Sequence, residues 1–229
     1  MGALLRCVQL LALALTAACG RLGFGEAAPV DAQHDAPDAP TGPVPIHVYQ
    51  LDGTYADDLG GPALVGRGGS FVPGGYQFAV NQGLALTSAM PAEVYTVDMV
   101  FSFDTLGSWR KILDFKNLRS DNGLYTYDNS LQFVVVAGST FETSPPVLAA
   151  NTTMQVTLTR NAAGRVTGYV NRAQLITFVD TSTVAALGSD AIANFFIDDT
   201  PTGGGESSGG IVRRIRIYDV ALDATQLPL

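Results

Sequence analysis

Trp109, Arg110, Asn117, Arg119, Asn122, Tyr125 and Tyr127 fall within a single stretch, SWRKILDFKNLRSDNGLYTYDNSLQFVVVAG, that runs from Ser108 to Gly138. Aromatic rings offer flat apolar faces on which a pyranose can stack. Arg and Asn side chains supply the donors and acceptors that its hydroxyls need. The same residue types also build ordinary sheets. Tyr125 and Tyr127, two apart on one strand, share a face that is either core or surface. Asp114 and Lys116 alternate with Leu113 and Phe115, the pattern of outward charge beside inward packing. SDNG (120–123) and Asp128-Asn129 read as turns.

Other chemistries find fewer parts. The two cysteines, Cys7 and Cys19, both lie near the N-terminus, and the two histidines are His34 and His47. A Ser-His-Asp triad or a zinc centre cannot be assembled from His47 and no thiol, and His47 reads as a strand residue with an ordinary hydrogen bond. No glycine-rich loop leads into a helix. Oxygen-rich clusters suited to Ca²⁺ do occur: Asp52 with Asp57 and Asp58, Asp121 with Asn122 and Asp128, and Asp198 with Asp199 and Glu206. None has the spacing of a known ligand loop, and turn-forming Asp and Asn need no metal. The formal net charge of −8 argues against a nucleic-acid partner.

The elements that position these residues change character along the chain. Residues 1–19 read as an export signal: one positive charge at Arg6, then the apolar run VQLLALALTAA, too short to span a bilayer. It ends in TAACG, which resembles the lipobox of bacterial lipoproteins, with Cys19 as the lipidated residue. Leu15 stands four before the cysteine where the usual pattern has Leu three before. Gly20 after the cysteine resembles lipoproteins sent to an outer membrane. An ordinary secreted protein is the alternative. Residues 20–44, rich in Ala, Pro and Asp, read as a tether, with membrane contact through the lipid alone.

Residues 45–229 form the domain. Strands are expected at IHVYQL (46–51), SFVPGGYQF (70–78), GLALT (83–87), YTVDMVFSF (95–103), WRKILDF (109–115), GLYTY (123–127) and SLQFVVV (130–136). Further strands follow at TMQVTLTR (153–160), RVTGYVN (165–171), AQLITFV (173–179), AIANFFI (191–197) and GIVRRIRIYD (210–219). Tyr95, Val97, Met99, Phe101 and Phe103 share one face of their strand. Roughly a dozen short strands separated by turn residues, with only a helical turn expected at ALDATQL (221–227), indicate an all-β, antiparallel two-sheet sandwich.

The order "VDMVFSFDT…WRKILDFKN…SDNGLYTYDNSLQF" and then "VTLTR…GRVTGYVNRAQLITFVD…FFIDD…SSGGIVRRIRIYDVAL" resembles bacterial laminin-G-like domains of the concanavalin A-like lectin/glucanase superfamily, over about residues 46–226. The resemblance implies a jelly-roll. Arg172 departs from it, since relatives usually have Gly after "YVN"; Asn171 can take the positive φ instead. It also implies a Ca²⁺ at the sandwich rim, with Asp198 and Asp199 as its ligands and Asp52 and Asp219 as contributors. Hydrolases of the superfamily carry Glu-x-Asp-x-Glu on one strand, because glycoside hydrolysis needs two carboxyls about 5–10 Å apart. Here Glu26, Glu93, Glu142 and Glu206 are isolated. The expectation is therefore a non-catalytic, surface-tethered module that binds carbohydrate or extracellular protein. Alternatives are a structural envelope domain without a small ligand and, less favoured, a glycoside hydrolase.

Overall fold

The computed structural model of the protein describes residues 42–136 and 139–228. The export signal, Cys19 and the tether up to residue 41 lie outside the described residues. Fifteen strands follow: β1 His47–Tyr49, β2 Val65–Gly66, β3 Ser70–Val72, β4 Gly75–Phe78, β5 Leu84–Thr87, β6 Tyr95–Phe103, β7 Arg110–Asp114 and β8 Gly123–Tyr127. The second half supplies β9 Ser130–Val136, β10 Ser139–Pro146, β11 Met154–Arg160, β12 Arg165–Val170, β13 Ala173–Val179, β14 Ile192–Phe195 and β15 Gly210–Tyr218. An eight-stranded sheet has the order β13-β12-β11-β6-β15-β4-β3, with β1 also paired to β15. A seven-stranded sheet has the order β10-β9-β8-β7-β14-β5-β2, and every pairing is antiparallel. The chain is an all-β two-sheet sandwich.

Alternation along the strands builds the core. Tyr95, Val97, Met99, Phe101 and Phe103 of β6 are all fully buried, and they join Ile215 and Ile217 of β15 and Val156 and Leu158 of β11. Across the layer stand Ile112, Leu113, Leu124, Phe133 and Phe195. Phe196 is the hub, with its ring centroid 4.9 Å from those of both Phe78 and Phe101. Such aromatic pairs add about 0.5–1.5 kcal/mol each beyond their buried area. The turn between β12 and β13 is made by Asn171 (φ 47°) and Arg172 (φ 69°), so the arginine itself adopts the left-handed conformation that glycine would take freely.

Two expectations need correction. SFVPGGYQF is a hairpin of two strands, β3 and β4, turning at Pro73-Gly74. β10 occupies STFETSPP, which its two prolines disguise; it is the edge of its sheet, where a missing backbone donor is tolerated. Residues 224–226 form a single hydrogen-bonded turn, with Gln226 N donating to the Asp223 carbonyl at 3.0 Å and the Asp223 carboxylate accepting from Thr225 and Gln226. This segment lies on the outer face of the eight-stranded sheet, where Leu222 and Leu227 pack with Tyr169 and Tyr218. Thr96 and Asp98 are fully buried there.

Candidate functional site

The β7–β8 connection and the segment before β14 face one another, joined by hydrogen bonds from Lys116 and Gly188. Local chemistry shapes the first. Asp114 Oδ1 accepts hydrogen bonds from the backbone N–H of Lys116 (3.2 Å) and Leu118 (2.8 Å), and so curls the chain at once after β7. Asn117 (φ 52°) and Leu118 (φ 61°) both enter the left-handed region. Asn tolerates it; for Leu118 it costs about 1–3 kcal/mol, met by the surrounding contacts.

The second segment is pinned from several sides. Asp180 accepts from Val184 N and Ala185 N and pairs with the buried Arg160 at 3.0 Å. The Tyr95 hydroxyl donates to Ala185 O at 2.6 Å. Lys116 Nζ donates to Thr183 O and Ala186 O at 2.8 and 2.7 Å, and Gly188 N donates to Phe115 O.

Between these walls opens a cleft of about 310 Å³, lined by Asn117, Arg119, Ser120, Asn122, Asp190 and Ile192 among others. Asp190 Oδ2 accepts from Arg119 Nη2 at 2.6 Å and from Asn117 Nδ2 at 2.9 Å. Asn122 is only 4% exposed; its Nδ2 donates to Ser120 Oγ at 2.9 Å, while its Oδ1 is buried with no hydrogen-bond partner. The cleft thus sets a compensated ion pair, amide groups and an unpaired acceptor beside the apolar Ile192. That mixture suits a ligand rich in hydroxyls.

Beside the cleft lies a buried ionic network. A bulge between Lys111 and Leu113 lets both Ile112 and Leu113 reach the core and leaves Lys111 on the outer face, in register with Tyr125. Lys111 Nζ is fully buried. It binds Asp199 Oδ2, stands 3.7 Å from Asp114 Oδ2, and lies 4.8 Å from the Tyr125 ring centroid. The Tyr125 hydroxyl donates to Asp199 Oδ2 at 2.9 Å and to Asp121 Oδ1 at 3.1 Å.

Burial, and then the charges of Asp199 and Asp121, push the Tyr125 phenol far up. Burial also raises Asp114, and Lys111 offsets this only in part. Burial acts the same way on Asp199, but there Lys111 and its other hydrogen bonds outweigh it and hold the carboxyl low. Glu206 is pushed up to about 7 by burial and by Asp121, Asp198 and Asp199.

The expected binding residues therefore divide. Asn117, Arg119 and Asn122 meet in the cleft. Trp109 and Tyr127 pair at 4.5 Å between centroids, with Tyr127 40% exposed. Arg110 donates to Thr105 Oγ1 and to the Trp109 carbonyl. Tyr125 is fully buried, so its ring serves packing and the ionic network and is not open for stacking. Asp114 is likewise fully buried rather than an outward charge, because the strand's outer face is itself covered here. Asp190 and Lys111 were not singled out from sequence. Asp190 sits in an unremarked GSD turn, and Lys111 reads as a solvated charge on an alternating strand.

The four aspartates assigned to calcium do not gather into one group, although Asp198 Oδ1 is buried without a hydrogen-bond partner. Asp199 is engaged by Lys111 and Tyr125, and Asp198 Oδ2 accepts from Thr202 Oγ1 and Glu206 N. Asp52 and Asp219 are exposed at opposite ends of the domain's sequence. Among the described residues, no three His, Cys, Asp or Glu side chains gather into a group that could hold a metal ion. His47 bonds Asp57 Oδ2 at 2.7 Å and Ala89 O at 3.1 Å.

No protein-family model and no curated protein sequence matches the chain. Solved structures do. The fourth domain of a GH43 extracellular arabinanase from Geobacillus stearothermophilus, in complex with arabinotriose, aligns at TM-score 0.63 and 13% identity, over 81% of this chain and 97% of that one. Trypanosoma rangeli sialidase aligns at 0.61 and 16%, over 81% of this chain and 32% of its own. The binding domain of botulinum neurotoxin serotype D aligns at 0.58 and 15%, over 80% and 50%. The chain spans half or less of the latter two. At these identities the likeness is one of fold alone, a β-sandwich.

Proposed function

We propose that the chain is a non-catalytic recognition module that binds carbohydrate in the cleft between residues 115–122 and 188–192. One observation carries this reading: Asp190, Arg119 and Asn117 stand in a single hydrogen-bonded row beside Asn122, whose buried carbonyl oxygen lacks a donor. A sugar hydroxyl both donates and accepts, so it can satisfy that oxygen and join the row without breaking it. The laminin-G-like sequence order, the lipobox-like end at Cys19 and the Asp/Pro-rich tether support placing the module on the outside of a bacterial envelope, lipid-anchored through Cys19. No turnover is proposed, because Asp114 and Asp199 on this face are committed to Lys111 rather than set as a free acid–base pair.

A glycan array followed by calorimetry tests the reading. Asn122→Ala and Arg119→Ala are each expected to weaken binding about tenfold with the fold intact. Absence of any glycan ligand would favour a purely structural envelope domain. The pair of half-buried Trp109 and exposed Tyr127 beside Arg110 supports a second reading, an extracellular protein partner, since these residue types anchor protein interfaces. Trp109→Ala separates the two, abolishing protein capture while leaving cleft binding in place.

A further inference from the structure

We propose that the cleft selects uncharged saccharide units over acidic ones, and that Asp190 makes the choice; the proposal rests on the carbohydrate reading above. Two cations line the cleft, Lys116 and Arg119, which on their own would attract a uronate or a sialic acid. Each is already engaged by the protein, although the Arg119 side chain is 69% exposed. Lys116 Nζ is spent on the carbonyls of Thr183 and Ala186, and Arg119 Nη2 is paired to Asp190. A ligand carboxylate would have to displace Asp190 to reach Arg119 Nη2, and elsewhere on the guanidinium it would still meet Asp190 as a neighbouring like charge.

The unpaired group calls for a hydroxyl rather than a carboxylate at its own position. Asn122 Oδ1, buried and without a partner, needs a donor, and an ionised carboxylate has none to give. A hydroxyl does, and it can bridge the Arg119–Asp190 pair without separating it. Asp190 therefore offsets the charge of Arg119, while Lys116 keeps its own and directs its N–H groups at two carbonyls. Rejection of anions comes from groups already on the protein, a repulsive element as well as an attractive one.

The test uses the full-length chain on an array of matched neutral and acidic oligosaccharides (hexose against uronate, asialo against sialylated). The wild type is expected to favour the neutral member of each pair at least about tenfold. Raising NaCl from about 0.05 to about 1 M is expected to leave neutral-ligand affinity unchanged, because no ligand charge is screened. Asp190→Asn keeps the shape of the side chain but releases Arg119, and is expected to shift the neutral-to-acidic ratio toward acidic glycans by at least about tenfold.

Preferential wild-type binding of acidic glycans would overturn the selectivity while leaving the carbohydrate reading standing. Binding of no glycan would overturn both. An unchanged ratio in a folded Asp190→Asn would remove Asp190 from the role. Should that variant fail to fold, the wild-type pairs and the salt series decide the selectivity on their own.

Discussion

Replacing Lys111 by Met exchanges a buried ammonium for an apolar chain of similar length, and its cost follows from what the ammonium touches. Nζ binds Asp199, faces Asp114 at 3.7 Å and stands over the Tyr125 ring, with all three side chains almost wholly buried. Without it two carboxylates remain in a low-dielectric site, and Asp114 Oδ2 already lacks a hydrogen bond. Removing one partner of such a pair costs about 3–5 kcal/mol. For a domain of this size each kcal/mol lowers Tm by roughly 2–4 °C, so the loss is about 6–20 °C.

The penalty has a pH signature. Protonation relieves the stranded carboxylates, so the deficit shrinks as pH falls from 7 toward about 4. Pairing Lys111→Met with Asp199→Asn is expected to restore more than half of it, a coupling that a mere packing defect would not show. Urea denaturation followed by near-UV circular dichroism at several pH values reads all of this. A single variant within about 1 kcal/mol of wild type, with no pH dependence, would refute the claim that Lys111 neutralises this site.

Glu206 takes up its proton near pH 7 when folded and at the ordinary lower value when unfolded, so its contribution to stability is full below about 4.5 and is lost as pH rises through about 7; Glu206→Gln is expected to flatten that decline in melting curves from pH 5 to 8. Asp57 behaves oppositely. Burial tends to raise it, but His47 and the N–H groups of Val48, Leu59 and Gly61 hold it low, so its contribution is lost as pH falls through its folded value, and Asp57→Ala is expected to cost at least about 2 kcal/mol at pH 7 in a denaturant titration. Because the aspartates do not gather, melting with excess Ca²⁺ and with chelator is expected to give the same Tm; a calcium-dependent rise, read as RT ln(1 + [L]/Kd), would reveal a site made from other oxygens.

Chain order alone carried the sandwich. The period-two alternation of β6 and the buried Ile215 and Ile217 of β15 are local facts of backbone geometry, and a strand with one greasy face has few ways to hide it. The edge strand β10 was hidden by Pro145 and Pro146, whose effect depends on which neighbour a strand lacks, and that is settled only when the sheet assembles.

The site was legible by residue type and not by grouping. Asn117, Arg119 and Asn122 announce a polar turn wherever they stand, whereas Asp190, some seventy residues later, joins them only because β14 pairs with β7. The burial of Lys111 and Tyr125 is not legible in sequence, because alternation tells which face a side chain takes, not whether another loop will cover that face. Strand identity and the inward residues are short-range properties written into consecutive side chains. Which charges are buried together, and which remain open to a ligand, depends on long-range closure of the sandwich and on the loops that fold across it.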